Sequence, residues 1–395
     1  MISVSEARAR VLANVEAVGV ETAPLMAALH RTLREDLVAT RAQPPFRASA
    51  MDGYALRAAD TPGVLRLIGE SGAGRALGQP LHAGACARIF TGAPLPQGAD
   101  CVLAQEDAAR DGDLITAPVV ETGRHVRDAG VDFNAGDLLL SCGALVDAPA
   151  IAIAAAAGRA SLTVSRQPRV AVLSGGDELV RPGEHPAADQ IFDSMSVGVA
   201  ALAQQWGGAA TPLGPLADRS GDVSRAIADA VGGFDLIVMV GGASVGDHDH
   251  ARTAVRGLGG ELLFEKVALR PGKPTWFAKI GNRPILGLPG NPASAIVCAR
   301  LFLRPLLDRM CGRDPAPAVR AARAQTATAL PANGPREAYL RATARVDETG
   351  LSWVTVSARQ DSSLLSGFAG EGALVVRAPG AAAAPAGALV DVLSL

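Results

Sequence analysis

The stretch from Arg169 to about residue 307 restricts the fold more than any other part of the chain, because apolar runs alternate there with helix-like segments across glycine-rich breaks. RVAVLSGGDEL leads to IFDSMSVGVAALAQQWGG, and the polar turn LADRSGD precedes VSRAIADAVGG. FDLIVMVGGASVGDHDH follows, and RPILGLPGNPASAIVCARLFLRPLL closes the series. Strands that are continuously apolar must be covered on both faces, so the alternation predicts a three-layer, mainly parallel α/β domain over residues 169–314. Ligands of such sheets lie beyond the C-terminal ends of the strands. The exits SGGDEL (174–179), GGASVGDHD (241–249) and LPGNPAS (288–294) are therefore the places to look for chemistry.

The flanks read differently. Residues 4–40 carry helical spacing (Ala7, Val11, Val15, then Leu25, Ala28, Leu29, Leu33), and the alanine-rich run 148–157 predicts a further helix; the two segments, 1–40 and 138–168, are expected to pack together. Between them, residues 41–137 hold short β-favouring runs such as VLRLIG and ARIFTG, broken by Gly, Pro and Asp, and predict a β-rich insertion. Beyond the DPAPA linker near Pro315, residues 315–395 return to short β runs (YLRATARV, LSWVTVSA, ALVVRA, ALVDVLSL), which predict a small β-barrel or sandwich.

Lys plus Arg total 37 against 39 Asp plus Glu, a formal net charge of -2, which argues against a general nucleic-acid or membrane-surface role. The apolar run at 148–157 is about half the roughly 20 residues needed to cross a bilayer. Five scattered cysteines without a Cys-x-x-Cys pair suggest neither a disulfide framework nor a zinc knuckle, and a cytoplasmic setting is expected. The N-terminus lacks the order of a secretory signal.

In LPGNPAS, Asn291 suits an N-cap, Pro292 the first helical position, and Gly290 a close backbone approach. With Pro289 and Ser294 they would aim free amides at an anion. LRPGKPTWF places Arg270 and Lys273 on a rigid turn beside it. Asp177, Glu178, Asp193, Asp218, Asp247 and Asp249 fall at strand exits or helix starts and could hold Mg²⁺. Each feature also has a plainer reading: Asp as a helix cap, and Arg270 or Lys273 paired with Glu265. The Asp247-His248-Asp249-His250 run is awkward for zinc. No Gly-x-Ser-x-Gly and no P-loop occurs.

The segments PPFRASAMDGYAL (44–56), TGAPLP (91–96), GVDFNAGDLLL (130–140), SGGDEL, GGASVGDHD, RPGKP and LPGNPAS occur in the order seen in the MoeA family, which the chain resembles over nearly its whole length; the E domains of gephyrin and plant Cnx proteins share the likeness. The resemblance implies a homodimer with a helical dimerisation region (1–40 and 138–168), an inserted β domain, a molybdopterin-binding α/β domain and a C-terminal β-barrel. It implies insertion of molybdate into adenylated molybdopterin with Mg²⁺ and release of AMP. Molybdopterin adenylyltransferase and molybdoenzyme maturation proteins are the implied partners.

Carried over by motif, Asp52, Thr91, Arg127 and Asp132 resemble residues that line the family's cleft from the inserted domain. Glu178, Asp218 and Asp247 resemble its acidic partners and metal ligands, with Gly176, Asp177 and Asp193 beside them. Lys273, with Arg270 and Ser294, resembles the oxyanion-facing side. Arg341 and Ser363 fit positions near molybdate, with Arg336 as a rival for Arg341. Asp52, Glu178, Asp247 and Lys273 are the implied catalytic set. Arg47-Ala48, Gly175-Gly176 and Met195 depart from the family pattern, which leaves open a paralogue acting on tungstate or another molybdopterin ester. A non-catalytic molybdopterin-binding scaffold is the further alternative.

Overall fold

The computed structural model describes residues 1–242 and 250–395. Helix α1 (Val4–Ala13) opens the chain, capped by Ser3, whose hydroxyl accepts from the Glu6 amide at 3.1 Å. Helix α2 (Ala148–Ala156) begins at Asp147, whose carboxylate accepts from the Ala150 amide, and has Pro149 in its first turn. These are the ordinary devices of helix starts.

The α/β region then runs β1 (Arg169–Gly175), α3 (Ser194–Gln205), β2 (Ala209–Pro212), α4 (Ser220–Gly233), β3 (Leu236–Gly241), α5 (His250–Gly257), β4 (Glu261–Phe264), β5 (Trp276–Ile280), β6 (Arg283–Leu288), α6 (Pro292–Cys298) and α7 (Arg304–Met310). A π-helical turn, Ala299–Leu303, joins α6 to α7. The sheet order is β2-β1-β3-β6-β5-β4. Strands β2, β1, β3 and β6 are mutually parallel, and β5 runs antiparallel to both of its neighbours.

Side-chain alternation divides this sheet between two cores. Val170, Val172, Val238 and Leu286 pack on one face under α1, α3 and the 292–310 helix. Ala171, Leu173, Ile237 and Met239 pack on the other under α4 and α5. Both faces are dry, which is why β1, β3 and β6 read as unbroken apolar runs.

The N-terminal segment departs from the expectation of helix over residues 4–40 and of packing against the 148–157 helix. Val4, Ala7 and Val11 of α1 are buried with Phe302 and Met310 in the α/β core. Residues 20–24 are a strand, paired antiparallel with residues 161–165. Only Leu25–Ala28 is helical beyond α1, and there Ala28 packs with Ala150 and Ala154 of α2. β-branched Val20 and Thr22 and a long-range partner strand override a weak helical period.

The insertion is a six-stranded sheet ordered 101–104, 53–56, 85–89, 63–71, 114–117, 109–111. At the C-terminus, strands 337–346, 352–356, 322–326, 389–394 and 373–377 pair in succession, and 373–377 pairs back onto 337–346. That closes a five-stranded barrel and removes its free edges. Leu269–Arg270, from the α/β region, adds to the barrel in parallel with Glu337–Ala338, a strand too short to show in the sequence. Among the described residues no helix is long and apolar enough to cross a membrane.

Candidate active site

Three glycines form the floor of the site. At the exits of β1, β3 and β6, a Cβ on Gly241 would lie 3.0 Å from the Gly175 carbonyl oxygen, and one on Gly290 would lie 3.3 Å from the Gly241 Cα. Gly241 and Gly242 also have φ of 78° and 63°, which glycine adopts without strain. Side chains here would fill the space where the sheet opens.

Above the floor lies a cleft of about 950 Å³. Its cationic wall is Lys266, Arg270, Lys273 and Arg336. The loop carrying the first three is tied at both sides. Val267 N–H donates to the Lys273 carbonyl at 3.0 Å, Ala268 N–H donates to the Ile2 carbonyl at 2.8 Å, and Glu337 N–H donates to the Ala268 carbonyl at 3.0 Å. Arg336 Nη1 donates to the Leu269 carbonyl at 3.3 Å. Glu265, expected as the partner of Arg270 or Lys273, is engaged by Arg256 at 2.6 Å and Arg252 at 3.5 Å instead. Among the described residues Lys266, Arg270 and Lys273 therefore make no ion pair. Lys266 went unnoticed in the sequence because it follows Glu265 directly; its shared loop with RPGKP was the available signal.

LPGNPAS sits in the cleft, with Pro289, Gly290, Asn291 and Ser294 all lining it. Asn291 holds the N-cap position but caps nothing with its side chain; its Nδ2 donates to Ser362 Oγ at 2.9 Å. The Ala293 amide donates to the Ser362 carbonyl at 2.9 Å, and Pro292 has no N–H. The barrel thus occupies part of the helix start, so the set of bare amides expected there is smaller. Cys298, buried behind the turn beneath Gly272, has its thiol pushed up to about 12 by burial and is a packing group.

Of the acidic residues, Glu178 lines the cleft and folds its carboxylate over Gly176. Asp177 and Asp218 are linked, the Asp218 amide donating to Asp177 Oδ1 at 2.9 Å. Asp193 is 2 % exposed and accepts from Ser174 Oγ at 2.5 Å, Ser196 Oγ at 2.6 Å and the Ser196 amide at 3.0 Å. It caps α3 from beneath, and its oxygens are taken. Arg341 is likewise spent: 3 % exposed, it donates to the carbonyls of Leu364, Arg359 and Asp361 and lies over the Phe368 ring. It shapes the 359–364 loop without facing the cleft, whereas Ser363 of that loop and Arg336 do face it.

Asp247 lies outside the described residues, as does the 247–249 part of the Asp-His-Asp-His run. Asp218 is half-buried, and its Oδ1, 3.9 Å from His250 Nε2, has no hydrogen-bond partner among the described residues. A buried carboxylate oxygen without a donor suits a cation, and this is the feature that fits Mg²⁺. Among the described residues no three acidic, His or Cys groups gather as a metal site.

Asp52, Thr91, Arg127 and Asp132 stand on the inserted β region, and none lines this cleft. Asp52 Oδ1 accepts from the Thr91 amide at 2.7 Å and the Thr91 hydroxyl at 2.8 Å, and these bonds hold its carboxyl below the usual carboxylate range. Arg127 pairs through its backbone with Ala48, and the Asp132 amide donates to the Gln43 carbonyl; both side chains are exposed.

Family models match nearly end to end: "MoeA N-terminal region (domain I and II)" over residues 2–158, "Probable molybdopterin binding domain" over 171–309, and "MoeA C-terminal region (domain IV)" over 323–395. The chain is 33% identical over 318 residues to the molybdopterin molybdenumtransferase of Haemophilus influenzae, covering 79% of this chain and 78% of the relative. It is 36% identical over 310 residues to molybdopterin molybdenumtransferase 2 of Mycobacterium tuberculosis, covering 74% and 75%. A solved molybdopterin biosynthesis MoeA protein from Pyrococcus horikoshii superposes with TM-score 0.85 at 29% identity, over 100% of this chain and 99% of that one.

Proposed function

The chain belongs to the MoeA family of molybdopterin molybdenumtransferases, and from that premise we propose that its cleft takes adenylated molybdopterin and molybdate and releases AMP. It is an enzyme of molybdenum cofactor biosynthesis that inserts molybdenum. One observation carries the substrate reading: Lys266, Arg270 and Lys273, free of ion pairs among the described residues, surround a glycine floor and the start of α6 in one cleft. Charge of that sign, held on a tied loop, positions a polyanion without reorganising.

In this reading Lys273 and Arg270 bind the phosphoanhydride and the molybdate oxyanion, and Ser294 orients it from the helix start. Asp218 and Glu178, with Asp247, would hold Mg²⁺; when bound, the ion supplies neutralisation of phosphate charge. An attacking oxygen, from water or molybdate, breaks the anhydride and AMP leaves; molybdate condenses with the two dithiolene thiols and gives up one oxygen, with their protons, as water. Ser363 contacts the molybdate end from the barrel.

Asp52, Thr91, Arg127 and Asp132 enter from a second copy in a homodimer. Two facts support that arrangement: none of these four residues lines the cleft of its own chain, and α2 is apolar all round. Only Ala150 and Ala154 of α2 are fully buried, and Met26, Leu138 and Leu145 of the same unit are 75%, 54% and 48% exposed. Such a surface calls for a covering partner. A cytoplasmic setting, and contact with a molybdopterin adenylyltransferase, complete the proposal.

The test is AMP release from adenylated molybdopterin in the presence of molybdate and Mg²⁺. Lys273→Ala is expected to lower turnover about 100-fold, the cost of losing one preorganised charge at the reacting group. Full Mg²⁺-dependent turnover in Asp247→Ala would remove the metal role from that residue.

A further inference from the structure

The cleft also has an apolar wall that the phosphate and molybdate chemistry leaves unused. At the exit of β1, Leu179–Val180 and Ile191–Phe192 form a parallel two-stranded ribbon, with Leu179 opposite Ile191 and Val180 opposite Phe192. The ribbon is pinned at both ends of the second strand. Ile191 N–H donates to the Glu178 carbonyl at 2.7 Å, and Asp193 N–H donates to the Val180 carbonyl at 2.7 Å. Asp193 is in turn locked by Ser174 and Ser196.

Despite this fixed backbone, Ile191 is 60% exposed and Phe192 47% exposed. Both line the same cleft as Lys266, Arg270, Lys273 and Arg336. An aromatic ring held bare to water on one side of a cavity that carries four cations on another matches a ligand that is flat and apolar at one end and anionic at the other. Stacking of this kind tolerates any heterocycle with a π-face.

We infer that Phe192, flanked by Ile191, is the stacking platform for the flat nitrogen heterocycle of the phosphate ester whose anionic part meets the cationic wall. The inference rests on the reading of the cleft given above and assigns a partner to the ring half of the ligand. Adenine and pterin share this chemistry, so the test separates them.

Calorimetric titrations of the full chain would use three probes: AMP, 6-hydroxymethylpterin diphosphate and inorganic pyrophosphate. Phe192→Ala is expected to weaken AMP, the pterin diphosphate or both about tenfold or more, the usual range for losing one stacked ring, while pyrophosphate affinity stays unchanged. The weakened probe identifies the ring, and Phe192→Trp is expected to restore its binding. Unchanged affinity for both ring-bearing probes would overturn the inference, as would an equal loss for pyrophosphate. A wild-type protein that binds none of the three would instead overturn the reading of the cleft itself.

Discussion

At Asp235 a carboxylate 5% exposed sits among three guanidinium groups, Arg166 at 2.8 Å, Arg283 at 3.3 Å and Arg169 at 3.6 Å. Burial pushes its carboxyl up, but the hydrogen bonds from Arg166 and the Arg169 amide, with the guanidinium charges, outweigh that and leave it below the usual range. A depressed folded-state pKa contributes stability that is present above the unfolded value of about 3.9 and is lost as pH falls through the folded one. Asp235→Asn is therefore expected to cost about 1–3 kcal/mol at pH 7, with the gap from wild type closing below about pH 4; urea unfolding across pH 3–8 would measure it. At this scale the chemistry of a side chain and its availability are separate matters. Asp193 and Arg341 carry the right chemistry at motif positions, yet their polar atoms are consumed by Ser174, Ser196 and loop carbonyls. Nothing local to a residue reveals whether its hydrogen-bonding capacity is already spent.

Among the elements, α2 shows the same division. Its helix was legible from nine residues with no polar side chain, APAIAIAAA, after an Asp-Ala-Pro start. The exposed face bearing Ala152, Ala155 and Ala156 became visible only once Ala28 and Leu33 were found packed on the opposite side. If that face meets a second copy, Ala152→Glu leaves the helix intact, because Glu is a good helix former, but buries an unpaired charge in the contact. Sedimentation velocity should show the dimer of the wild type converted to monomer, with AMP release lost in parallel; a dimer that survives the substitution would place the contact elsewhere. For α1, the reading of a helix was right and its destination was not, since Val4, Ala7 and Val11 serve the α/β core. Periodicity says that a stripe is buried, and the partner depends on where the chain returns.

Across the whole molecule, the barrel is part of the cleft. It supplies Arg336, Ser362 and Ser363, takes in Leu269–Arg270 as an added strand, and meets the 292–310 helix through Arg300. That guanidinium is 6% exposed and donates to the carbonyls of Ser394, at 2.7 Å, and Ala318. Arg300→Met would leave these carbonyls without their charged donor in a buried contact. The expected outcome is a loss of about 3 kcal/mol, faster proteolysis in the linker near residues 313–321, and weaker AMP binding as Arg336 and Ser363 lose their fixed position. Cleavage and binding rates equal to wild type would show that the barrel is held by its other contacts alone.

The layered α/β region, the β-rich insertion, the C-terminal β structure and the strand exits that open on the cleft are all legible in the amino-acid order. Those features arise from apolar spacing and turn residues that act within a few positions of each other. Which charges stay available depends instead on long-range packing. Glu265 could neutralise Arg270 or Arg256 equally well by composition, and the fold delivers it to Arg252 and Arg256. Barrel closure, the docking of Ser362 on the start of α6, and the exposure of Phe192 likewise depend on segments far apart in the chain, whose meeting is set by the packing of the whole.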